Sequence, residues 1–150
     1  MPALSQNLVF KITNGNTTTN SVQVDYPNTA TTALIYQSER IKGDGYFGSS
    51  DGLHTVFWSV ADFIGTIEIQ GTLASAPVDD DWATITLTSP GNRYVVDSTG
   101  AVSVAGVDTT RYTTETTANK SYNFTGNFVW IRGRISEFTQ GVMNGISINR

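Results

Sequence analysis

Hydrophobic and polar residues alternate along most of this chain, and the alternation predicts strands. Leu8, Phe10 and Ile12 fall on one face of a first strand. An Asn14-Gly15 pair and a Thr/Asn run follow as a turn, and Ser21–Tyr26 alternates again before Pro27, the pattern of a hairpin. Between Thr29 and Arg40 the threonines favour extended chain, and a strand is expected across Ala33–Gln37. After a Gly/Ser cluster, Val56, Trp58 and Val60 share one face of a strand that Ala61–Gly65 is expected to break. The clearest period of two comes next, with Ile67, Ile69, Gly71 and Leu73 facing one way and Thr66, Glu68, Gln70 and Thr72 the other.

The loop Ser75–Asp81 leads to Trp82, which opens a strand carrying Ala83, Ile85 and Leu87 on one face. Tyr94–Val96 and Val102–Val104 are two further short strands set off by turns, and Thr109–Ser121, the most polar stretch, reads as an exposed loop. In Phe128–Ile135 the odd positions Val129, Ile131, Gly133 and Ile135 suit a core. The even positions place Phe128, Trp130, Arg132 and Arg134 on the opposite face. A last strand spans Val142–Ile148. Eight to ten short strands with turn signals every 8–12 residues, and no amphipathic helix, predict an all-β fold: a single antiparallel β-sandwich, of the jelly-roll kind.

Composition narrows the class of function. The 150 residues suit one domain, 1–150, whose first forty residues include a hairpin or attachment arm. Nine Lys+Arg against thirteen Asp+Glu give a net charge of −4. A nucleic-acid partner needs a dense basic patch, so none is expected. There is no cysteine, so neither a disulfide framework nor thiolate chemistry is available. The start shows no secretory pattern and no apolar run approaches the roughly 20 residues that span a bilayer. Synthesis in a cytoplasm and no membrane partner are expected.

Catalytic constellations are weak. Gly48-Ser49-Ser50-Asp51-Gly52 has the letters of a nucleophile elbow, with His54 beyond it. The chemistry needs a strand-to-helix turn and a distant His, and neither is indicated. A Gly/Ser/Asp turn and a structural imidazole are the plainer reading. Asp79-Asp80-Asp81 lacks the alternate spacing of a calcium loop and reads as solvated. Asp62, Glu68, Asp97 and Glu137 cannot be set across a cleft from sequence as a glycosidase pair requires. The sequons at Asn16, Asn119 and Asn123 are the chance product of a Thr-rich chain. No enzyme activity, metal or cofactor is expected.

Aromatic residues carry the remaining signal. Tyr46, Tyr112 and Tyr122, in or near expected loops, are candidates for stacking on sugar rings, with Phe47 beside them. Phe128, Trp130, Arg132 and Arg134 have the composition of a protein–protein contact. Packing of that face under a second sheet is the competing reading.

Asp51–Val60, Gly65–Leu73 with Asp80-Asp81-Trp82, Tyr122–Arg132 and Phe138–Gly141 together resemble small virion structural proteins of tailed bacteriophages, notably cyanobacterial myoviruses, over roughly residues 44–150. The resemblance implies a small β-sandwich built into the particle, and it carries over no functional residues. The expectation is therefore a non-enzymatic virion protein, made in the host cytoplasm. Its expected role is capsid decoration (cement), bound to other virion proteins such as the major capsid protein in a symmetric homo-oligomer or multi-copy assembly. The alternative is a carbohydrate-binding module of a tail, baseplate or fibre.

Overall fold

The computed structural model describes residues 5–14, 17–27, 30–48, 52–96, 98–100, 102–107 and 110–149. In chain order the elements are β1 (Ser5–Asn7), β2 (Phe10–Asn14), β3 (Thr17–Ser21), β4 (Val24–Asp25), β5 (Leu34–Gln37), β6 (Ile41–Lys42), the one-turn helix α1 (Asp44–Phe47), β7 (Leu53–Thr72), β8 (Ala83–Thr84), β9 (Thr88–Val96), β10 (Val102–Val107), β11 (Arg111–Thr125) and β12 (Trp130–Asn149). A 3₁₀ turn, Asp79–Asp81, lies between β7 and β8. The fold is all-β and antiparallel: one curled ten-stranded sheet, plus the small hairpin of β2 and β3.

Three long strands dominate, where many short ones were expected. β7 is paired along one side by β12 and along the other by β11. In its first half the buried residues are even-numbered, His54, Val56, Trp58 and Val60; in its second they are odd, Phe63, Gly65, Ile67, Ile69 and Gly71, until Thr72 at the strand's end is buried too. The parity changes at Ala61–Asp62, where Asp62 adopts φ +50°. Both neighbours lose register at the same level, between Gln140 and Val142 on β12 and between Tyr112 and Ala118 on β11. An extra residue bends a strand and shifts which side chains face inward. The same inner face therefore continues around the bend, and the sheet folds over its own core like a sandwich.

This geometry corrects several expectations. Ala61–Gly65 bends β7 and does not end it. Arg111–Ser121 is strand, because Thr-rich chain paired on one side with β7 satisfies its backbone while its side chains stay wet. Thr17–Asn20, read as turn, belongs with Ser21 to the second arm of the β2–β3 hairpin for the same reason. Gly15 and Asn16 lie outside the described residues. The jelly-roll path is not confirmed; bulged strands, not turns between short ones, carry the chain from layer to layer.

The core joins both ends of the chain. Leu8, Phe10, Ile12, Val24 and Tyr36 belong to the same buried cluster as Trp58, Phe63, Ile67, Ile131, Phe138 and Ile146. Gly133 makes room for this meeting, since a methyl group there would press on Leu8 and Phe10. β1, β4, β5 and β6 then run in sequence along the far edge of β12, pairing with its residues 147–149, 142–143, 134–138 and 130–131. An uncovered edge of that length is a template for aggregation, and the chain's own start covers it.

Candidate functional site

The outer face at the start of β12 gathers most of the chemistry-bearing side chains. Ile131, Gly133 and Ile135 point into the core, so strand alternation sends Trp130, Arg132 and Arg134 outward. β6 flanks this end of β12 on one side and β7 on the other, with Trp130 level with both Lys42 and Thr72. The segment Leu73–Trp82 leaves β7 and folds back over this face. Its Ser75 carbonyl accepts the Trp130 indole N–H at 3.0 Å.

Rings and cations alternate across the face. The Tyr46 ring lies 5.1 Å from that of Trp130 and 5.4 Å from that of Phe47. The Arg40 guanidinium stands over Trp130 at 4.2 Å, the Lys42 ammonium over Tyr46 at 4.5 Å, and the Arg132 guanidinium over Trp82 at 4.4 Å. Such contacts hold a cation against a ring's electron-rich face. Backbone hydrogen bonds dock α1: the Gly43 and Gly45 N–H groups donate to the Val129 and Phe128 carbonyls. A methyl at either glycine would collide with the carbonyl beside it, and Tyr46 and Phe47 are held out at 47% and 54% exposure.

Arg132 anchors the middle of the face. It is buried, donates from Nε to Gln70 Oε1 at 2.8 Å and from Nη1 to Gln37 Oε1 at 3.4 Å, and lies 3.8 Å from Asp79. Burial lowers its pKa, with Asp79 acting in the opposite sense. Removing the fork strands the two amide oxygens and bares Trp82. Arg132→Ala is expected to lower stability by about 2 kcal/mol in equilibrium urea unfolding, with a red-shifted tryptophan emission. Arg132→Lys should recover little of it, because a single ammonium cannot span Gln70, Gln37 and the Trp82 ring. Recovery by lysine would show that charge alone matters there. Further along, Arg134 pairs with Glu68 at 3.4 Å and Arg111 with Glu137 at 2.9 Å.

The predicted contact set is thus divided. Trp130, Arg132 and Arg134 share the outer face, while Phe128 turns inward against Gly71, Gly126 and Ile85 and packs on the core. It precedes the strand, so strand alternation does not govern it. The three tyrosines are not brought together. Tyr122 is 1% exposed and tilts against Trp58; it lies within β11, whose inner face is core, so it is removed from any sugar site. Tyr112, also on β11, packs on Phe63 and its hydroxyl accepts the Trp58 indole N–H at 3.2 Å. Tyr46 alone offers a ring to solvent.

Ser49, Ser50 and Asp51 lie outside the described residues. The His54 ring is buried, stacked on Phe124 at 4.6 Å, with Nε2 3.9 Å from the buried Asp44 carboxylate. Asp81 accepts the Val78 N–H and Asp79 faces Arg132, so two of the three successive acids serve the loop. Asp62 accepts from Thr117, and Glu68 and Glu137 are held by arginines; Asp97 lies outside the described residues. Sequence reasoning missed Arg40, Lys42, Gln37 and Gln70, whose roles depend on neighbours far along the chain. The adjacency of Trp82 to the acidic run was the available signal.

Comparison of the chain with protein-family models, with characterised proteins and with solved structures finds no significant match.

Proposed function

We propose that this protein is a non-enzymatic structural component of a virion, acting through protein–protein contact at the outer face of β12. The observation that carries the contact reading is the ladder of Trp130, Tyr46, Trp82 and Arg132 with Arg40 and Lys42 interleaved. Tryptophan and tyrosine concentrate binding energy at interfaces because they add large area with few freely rotating bonds, and arginine because its planar fork makes several hydrogen bonds and stacks on rings. The placement in a particle, as a capsid decoration protein, rests on the resemblance of Asp51–Val60, Gly65–Leu73 and Tyr122–Arg132 to virion proteins.

Trp130→Ala tests the reading. The ring is half-buried and outward-facing, so the variant is expected to fold with a loss of about 1 kcal/mol and to fail to incorporate into particles assembled without the native protein. Unfolding of the variant would return Trp130 to a structural role. Normal incorporation would end the contact reading. A carbohydrate reading survives only at Tyr46, and a glycan-array signal abolished by Tyr46→Ala would favour it.

A further inference from the structure

Two segments from opposite sides of Trp130 supply most of the large exposed apolar side chains among the described residues. Tyr46 and Phe47 come from α1, and Leu73 and Val78 from the segment after β7. The side chains that contact the face differ in sign between the segments, Arg40 and Lys42 on one and Asp79 on the other, while Glu39 and the buried Asp44 also lie in the first. Exposed Arg40 and Lys42 accompany the α1 side, lying over Trp130 and Tyr46. Exposed Asp79, Asp80 and Asp81 form the turn on the other side, placed over the face by the contact of Asp79 with Arg132 and of Ser75 with Trp130. The patch is therefore basic and aromatic on one flank, acidic and aliphatic on the other, with Trp130 between them.

We propose that this face joins two copies of the chain about a two-fold axis, the Asp79–Asp81 turn of each copy lying against Arg40 and Lys42 of the other. The inference rests on the contact reading above and names its partner. A two-fold interface requires a patch that complements itself after rotation. A patch with opposite charges on its two flanks and apolar area throughout meets that requirement. A partner of one charge would match one flank and oppose the other, and like charges brought together at an interface are costly. The net charge of −4 on each chain repels a second copy at random orientations, so the paired flanks also select the orientation. Strand addition at the far edge of β12 is not the route, because β1, β4, β5 and β6 already cover it.

The test is charge reversal with complementation, read by light scattering and sedimentation of the full chain across the micromolar range. The native protein is expected to dimerise, and to do so less tightly as salt rises. Asp80→Lys and Lys42→Glu each place like charges together at both symmetric contacts. Each is expected to weaken the dimer by about tenfold or more while leaving the melt of the dilute, monomeric chain close to native. An equimolar mixture of the two variants is expected to regain a dimer, because every contact then again joins opposite charges. A native chain that stays monomeric throughout, variants that dimerise like the native chain, or a mixture that remains monomeric would each overturn the proposal. Loss of particle incorporation by Trp130→Ala alongside a monomeric native protein would leave the contact reading standing and this partner assignment refuted.

Discussion

Replacing Trp58 with alanine is expected to cost about 3–5 kcal/mol, enough to remove a third or more of the stability of an ordinary domain. Trp58 is fully buried in the first half of β7, on the even-numbered inner face. Its ring tilts against Tyr122 at 4.9 Å, and its N–H reaches the Tyr112 hydroxyl at 3.2 Å. Tyr112 is aligned with Gly65, beyond the bend, and Tyr122 with Val56, before it. One side chain thus ties together the two layers that the bend separates. Truncation leaves a cavity between two strands too long and too fully paired to close over it. Trp58→Phe keeps a ring but drops the donor, and should cost about half as much. Equilibrium urea unfolding measures both. A loss below about 1 kcal/mol for Trp58→Ala would mean that the layers are held elsewhere.

Gly141→Ala is expected to be nearly as damaging, for a backbone reason. Gly141 adopts φ +86°, and a methyl there would run into the Ala61 and Asp62 carbonyls across the strand pair. Its own carbonyl accepts the Tyr26 N–H at 2.9 Å. The residue sits where β7 and β12 bulge together, so strain at this point cannot be relieved without undoing the bend. A left-handed conformation and a backbone collision together give an expected loss of about 3 kcal/mol or more. Gly48→Ala is the matched control: φ is +70° but the space around it is open, and about 1 kcal/mol is expected. Equal losses for the two variants would show that conformation alone, and not the crossing, makes Gly141 necessary.

These two positions also show where local pattern stops being informative. Trp58 was legible: Val56, Trp58 and Val60 alternate with polar residues, and a period of two with rings at inward positions specifies a buried face. The same holds for Ile67, Ile69 and Gly71, and for Ile131, Gly133 and Ile135; Leu73, expected on the same inner face, is exposed because β7 ends at Thr72. The bend was not legible. Ala61–Gly65 looks like a break because the alternation slips by one, and a slip reads alike whether the strand ends or bulges. Only pairing on both sides decides between them, and β11 and β12 supply that pairing from about 50 and 80 residues away in the chain. Arg111–Ser121 was misread on the same ground, since polarity predicts contact with water and a strand at the rim of a sheet has it.

The outer face divides in the same way. Alternation alone placed Trp130, Arg132 and Arg134 on one side of a strand, because side chains two apart must share a face. Nothing local indicated that Phe128 would turn inward, that Tyr122 would be core, or that Arg40, Lys42 and the Asp79–Asp81 turn would flank Trp130. The sequence by itself determined an all-β antiparallel chain, the inward positions of its cleanly alternating stretches and its lack of cysteine chemistry, since these follow from residue type and a period of two. The tertiary structure decided which charges meet which rings. Cation–ring and ion-pair contacts depend on distances of a few ångströms between segments that only the curled sheet brings together.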